Sequence, residues 1–125
     1  MNKIKTDRAP QAIGAYSQGM ELDELVFTSG QIGIEPNSGQ LITDDFRSEV
    51  LQVLNNISAV LEAGGSNIQN AIKLTVFLID LSNFKIVNDI FVDFFNGNYP
   101  ARSVVQISAL PLNANIEIEA IGKKI

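Results

Sequence analysis

Ala71-Ile72-Lys73-Leu74-Thr75-Val76-Phe77-Leu78-Ile79 is the stretch on which the fold turns. It is dense in β-branched and aromatic residues and reads as a strand buried on both faces. On either side of it the apolar period becomes that of a helix. Upstream, Phe46, Val50, Val53, Leu54, Ile57, Val60 and Leu61 recur at helical spacing until Gly64-Gly65 stops the pattern. Thr43 is the expected N-cap there, with Asp44 and Asp45 set favourably against the helix dipole. Downstream, Ser82 or Asn83 is expected to cap a second helix whose stripe is Phe84, Val87, Phe91 and Phe94. Asn96-Gly97-Asn98 ends that helix.

Further out, the segment Ala9 to Gly14 reads as an irregular arm. Extended runs follow at Ala15 to Met20 and Leu25 to Ser29, before a turn cluster at Glu35-Pro36-Asn37-Ser38-Gly39. Two last strands, Arg102 to Ala109 and Asn115 to Gly122, flank Leu110-Pro111-Leu112-Asn113. The order of strands, helix, strand, helix, strands implies an α+β two-layer domain, with both helices on one face of a mixed sheet. Residues 1–125 form one domain on this reading, with no repeat or linker. The other sheet face also carries apolar residues, and a closed homo-oligomer would cover it.

Composition narrows the chemistry. The 125 residues contain no Cys and no His, so disulfides, thiolate nucleophiles and imidazole bases are impossible. The commonest transition-metal ligands are missing with them, and neither a metal nor another cofactor is expected. Acid–base work falls to Asp, Glu, Lys, Tyr, backbone groups or water. Net charge is −5, and among the nine basic residues only Lys123-Lys124 are adjacent, which disfavours nucleic acid. No apolar run is long enough to span a bilayer. The N-terminus lacks the apolar core of a secretion signal, so a cytoplasmic location is the expectation.

Arg102 opens a strand of neutral residues. Its planar guanidinium can grip a carboxylate with two parallel hydrogen bonds. A salt bridge to an acidic residue of a neighbour is the more ordinary role for such an arginine. Glu117 and Glu119 alternate with apolar residues and share one strand face, and Glu119 reads as solvated. If the last two strands form a hairpin, Glu117 falls opposite Gln106, on the order of 13 Å along the ladder from Arg102. A shared site then requires convergence across a cleft or between subunits. Asn88 sits in an apolar stripe and needs a hydrogen-bond partner, whether a ligand, a loop or a neighbouring chain. Gly30, at the end of a strand, permits close approach of its backbone to a ligand. Ser29 beside it, and Tyr16 in the arm, are either rim hydroxyls or ordinary turn and core residues.

The pieces combine in a fixed order. Ala12-Ile13-Gly14-Ala15-Tyr16-Ser17-Gln18-Gly19 precedes Thr28-Ser29-Gly30-Gln31-Ile32 and Glu62-Ala63-Gly64-Gly65. Then come Lys73-Leu74-Thr75-Val76-Phe77-Leu78, Val87-Asn88, Tyr99-Pro100-Ala101-Arg102-Ser103, Leu110-Pro111 and Ile116-Glu117-Ile118-Glu119-Ala120-Ile121. Together they resemble the RidA/YjgF family of reactive-intermediate deaminases over nearly the whole chain. The resemblance implies a chorismate-mutase-like fold, a homotrimer and ligand clefts between subunits. It implies hydrolysis of 2-aminoacrylate-type enamines and their imine tautomers to 2-keto acids and ammonia. By the same resemblance Arg102 binds the substrate carboxylate and Glu117 positions water. Tyr16, Ser29, Gly30 and Asn88 fall at cleft positions, and the backbone of Val104 completes the grip. Val104 replaces a frequent cysteine, Gln106 a frequent acid, and Ala15 a common proline. Two other readings use the same residues: a metabolite-binding regulator, and the RNA-cleaving activity attributed to some relatives, which the charge and the absence of His disfavour.

Overall fold

The computed structural model describes residues 1–125, the whole chain. Its strands are β1 (Asn2–Ile4), β2 (Gly19–Leu22), β3 (Leu25–Thr28), β4 (Ala71–Leu78), β5 (Ala101–Gln106) and β6 (Ile116–Lys123). The helices are α1 (Phe46–Ala63) and α2 (Phe84–Phe95). One sheet holds all six strands in the order β1-β2-β3-β6-β4-β5. Only the β4–β5 pair is parallel, and α2 makes the crossover between them. The expected two-layer α+β domain is therefore present, with a mixed sheet and both helices on one face.

Why the helices lie on one face is visible in the alternation of the strands. Leu74, Val76 and Leu78 of β4, and Ile116, Ile118 and Ala120 of β6, are buried, as are Val50, Val53, Leu54, Ile57, Val60 and Leu61 of α1. These residues form one core between sheet and helices. Phe27, Phe77, Val105 and Ile121 point to the opposite face and stay partly or fully exposed. Strand β4 is accordingly buried on one face and half-covered on the other within a single chain. No helix is long and apolar enough to cross a membrane.

Several boundaries differ from expectation for physical reasons. Helix α1 is capped by Asp45, whose carboxylate accepts from the Ser48 N–H at 2.7 Å, so Thr43 lies outside the helix. At α2, Asn83 holds the cap position without a side-chain bond, because Asp80 already caps a short turn over Leu81–Asn83 through the Ser82 N–H. The buried stripe of α2 is Val87, Ile90, Phe91 and Phe95, while Phe84 is exposed. Asn96 ends the helix in a left-handed conformation, as the Asn96-Gly97 pair suggested. The extended run at Ala15 to Met20 narrows to a strand beginning at Gly19. Tiny β1, with two exposed residues of three, carries too little pattern to be seen in sequence.

The largest correction concerns the last two strands. They do not form a hairpin: β4 lies between them, antiparallel to β6 and parallel to β5. Phe77 pairs with Glu117 on one side and with Val105 on the other. Gln106 instead closes the end of β5 by accepting from the Leu81 N–H at 2.8 Å.

Candidate active site

Sheet order decides where the candidate residues go. Arg102 pairs with Leu74, whose side chain is in the core, so Arg102 projects toward the helices. Glu117 pairs with Phe77 and projects from the other face. Two inter-strand spacings and three residues along β4 separate them, on the order of 14 Å between backbones. The candidates thus divide into two groups, each lining its own hollow.

The first hollow, of about 390 Å³, is lined by Asn88, Phe91, Val92, Tyr99, Pro100 and Arg102. The guanidinium lies over the rings of Phe84 and Phe91, 5.2 and 5.4 Å from their centroids. One of its nitrogens donates to Asn88 Oδ1 at 3.2 Å. No Asp or Glu of the chain pairs with it, although Arg8 and Arg47 both have acidic partners. Asn88 is half-buried and meets Arg102 itself, rather than a loop, so it fixes the fork's orientation. Phe84, placed in the core by sequence, serves here as a ring beneath a cation.

Strand β5 is an edge, so one row of its backbone groups has no sheet partner. The Ile107 N–H donates to the Leu78 carbonyl at 2.8 Å, which fixes the alternation along the strand. Odd residues face β4, and the backbone groups of Arg102 and Val104 face outward. The side chain of Val104 packs on the core and only its backbone reaches the open edge.

The second hollow, of about 820 Å³, includes Tyr16, Ser29, Gly30, Gln31, Leu112 and Glu117 in its lining. Glu117 is half-buried, and burial, then the charge of Glu119, pushes its carboxyl above the ordinary carboxylate range. Glu119 is exposed, as its position implied. A Cβ built on Gly30 would stand 2.7 Å from the Glu117 carboxyl carbon, so only glycine leaves that carboxylate its place. The Ser29 hydroxyl donates to the Ser17 carbonyl at 2.6 Å and ties the arm to the end of β3. Tyr16 is exposed on that arm, two residues after Gly14 with its φ of +117°.

Sequence reasoning missed Tyr99, Gln31 and Leu112 as lining residues. Leu112 had one available signal: it follows Pro111 in a turn, where it adopts φ +57° and remains 65% exposed. A left-handed backbone at a non-glycine residue carries a conformational cost. No group of acidic side chains could hold a metal ion.

A mixed sheet with both helices on one face is the architecture of the chorismate-mutase-like two-layer α+β proteins, here carrying an unpaired arginine and a raised carboxylate in separate hollows. Within that class the chain belongs to the family described as Endoribonuclease L-PSP, which it matches over residues 6–123, and to its RidA/YjgF members. It is 47% identical to the 2-iminobutanoate/2-iminopropanoate deaminase of Rattus norvegicus over 119 residues, covering 95% of this chain and 87% of that one. The YjgF gene product of E. coli superposes with a TM-score of 0.92 at 39% identity, over the full length of both chains. E. coli TdcF, crystallised with bound serine, superposes at 0.94 with 41% identity, also over both full lengths.

Proposed function

We propose that this chain hydrolyses small 2-imino acids, of the 2-iminopropanoate and 2-iminobutanoate type, to 2-keto acids and ammonia. The clefts are completed where neighbouring copies bring the two hollows together, and a homotrimer is the assembly the family resemblance implies. The observation that carries the reading is the state of Arg102. It is oriented by Asn88, held over two aromatic rings and without any carboxylate of its own chain. An arginine so held is a receptor for a carboxylate from outside, and the relatives named as deaminases act on imines that carry one.

In this mechanism Arg102 forks the substrate carboxylate, and the outward N–H of Val104 adds a donor at the open edge. Glu117, from the neighbouring copy, holds a water against the imine carbon. The water oxygen bonds to that carbon as the C=N π bond breaks, and Glu117 takes the water's proton. That proton passes to nitrogen and gives the carbinolamine. Glu117 then takes the carbinolamine's hydroxyl proton and returns it to nitrogen, and the C–N bond breaks as the C=O bond forms, releasing keto acid and ammonia. Holding water and imine in register is the main gain, since the reaction already proceeds in water unaided. A carboxylate raised by burial is a better base than a solvated one, which suits a site without His or Cys.

The test is a dehydratase acting on serine or threonine, with imine decay and ammonia release followed with and without this protein. Acceleration by wild type but not by Arg102→Ala supports the reading. Equal rates for the two proteins overturn it, and tight 2-keto acid binding without acceleration leaves the regulator reading in its place. The RNA reading suits these hollows poorly: the first offers one cation and the second none among its lining residues.

A further inference from the structure

Glu49 is 2% exposed, yet none of the chemistry above uses it. It lies in the first turn of α1. Each of its carboxylate oxygens accepts one hydrogen bond, and both come from Asn115: the backbone N–H at 2.8 Å and the side-chain amide at 2.8 Å. Asn115 is the residue immediately before β6, and Glu117 is the second residue of that strand. Leu112 and Asn113, both with φ above +50°, stand just ahead of it in the turn that borders the second hollow.

The stem of the same side chain and the backbone behind it are pressed by the opposite wall. A Cβ on Gly33 would lie 2.9 Å from Glu49 Cγ, so the Gln31–Ile34 segment runs directly against it. Gln31 bridges to Ile118, bonding in both directions across the two backbones. One buried side chain from the helix layer therefore sits beneath both walls of the hollow, at the point where the strand carrying Glu117 begins.

We propose that Glu49 is a positioning residue for Glu117. Its two-pronged hold on Asn115 fixes the entry of β6 and so the height of the Glu117 carboxylate in the cleft. This inference rests on the imine-hydrolase reading for its kinetic consequence, but its structural consequence is independent of that reading. A carboxylate is an acceptor on both oxygens and fits the two N–H donors as they stand. Glutamine would also fit once the Asn115 amide turns over to present Oδ1. Methionine offers neither oxygen and leaves both donors to mobile water.

The experiment compares Glu49→Met and Glu49→Gln, reading kcat, KM and backbone hydrogen exchange at Asn115 to Glu117. Glu49→Met should lower kcat about tenfold, because a small displacement of a reacting group is costly. KM should hold, since the carboxylate grip lies in the other hollow. Exchange at Asn115 to Glu117 should quicken, and Glu49→Gln should restore both readouts. Asn115→Ala removes one prong from an exposed residue and should show the same effects, smaller, if Glu49→Met fails to fold. Unchanged kcat and exchange in Glu49→Met overturn the proposal, as does an equal loss in kcat and KM that glutamine does not rescue. If wild type itself accelerates no imine hydrolysis, the function falls while exchange alone decides the positioning role: quickened exchange upholds it and unchanged exchange removes it.

Discussion

The carboxylate of Glu117 lies against the bare Cα of Gly30, so close that a methyl group there would fall 2.7 Å from its carboxyl carbon. One residue's missing side chain is the other's seat. Gly30→Ala should therefore push Glu117 aside while leaving Arg102, on the far face of the sheet, untouched. The expected result is a loss of kcat of about tenfold to a hundredfold with KM nearly preserved. Steady-state kinetics with a dehydratase-generated imine checks it; a parallel rise in KM would contradict the division of labour.

Arg102 is the converse case. Arg102→Ala should lower kcat/KM about a hundredfold, the worth of a lost two-pronged charged contact of roughly 3 kcal/mol. Arg102→Lys keeps the charge but not the planar fork, and its ammonium cannot lie flat between the rings of Phe84 and Phe91. It should recover only part of the loss. Full recovery would mean that charge alone, without geometry, binds the substrate.

Glu117 links activity to stability. Its proton is held more tightly in the folded chain than in the unfolded one, because burial and then Glu119 disfavour its charge. The folded state is consequently not penalised below the ordinary carboxylate value of 4.5, and loses stability as pH rises through the raised value. Glu117→Gln removes the disfavoured charge. The variant should melt higher than wild type near neutral pH, converge with it in acid, and have little activity throughout. Melting curves at the two pH values, with wild type more stable at neutrality, would refute the assignment.

Mixing variants tests whether the two hollows meet between copies. Arg102→Ala retains an intact Glu117 half, and Glu117→Gln retains an intact Arg102 half. Co-expressed, the two should regain activity that neither shows alone. Gly30→Ala co-expressed with Glu117→Gln damages the same half twice and should regain none. Recovery in both pairs, or in neither, would argue against a shared cleft.

Local pattern announced the helices and the two-layer arrangement, because an apolar stripe at helical spacing has few other meanings. Sheet order was harder to see. The chain places β5 and β6 next to each other in sequence and β4 far upstream of both, yet β4 lies between them in the sheet. No local signal distinguishes a hairpin from a strand slipped into that gap, so the faces of Arg102 and Glu117 stayed hidden until the pairing was known. Phe84 misled for a related reason: an aromatic beneath a cation and an aromatic in a core leave the same mark on a helical wheel. The ordered resemblance named the candidate residues, and the structure gathers Arg102 and Asn88 into one hollow and Tyr16, Ser29, Gly30 and Glu117 into the other. Glu49 was not legible, since an acidic residue in a helix's first turn reads as dipole chemistry, and its true partner lies 66 residues away.

The separation of the two hollows onto opposite faces also has an arithmetic. If the two hollows meet between copies, as proposed, a lone chain owns two halves and no whole cleft. An open string of copies always leaves one Arg102 half and one Glu117 half unmatched at its ends. Only a closed ring gives as many clefts as chains, so in this fold any pressure for turnover per molecule synthesised is also a pressure for closure.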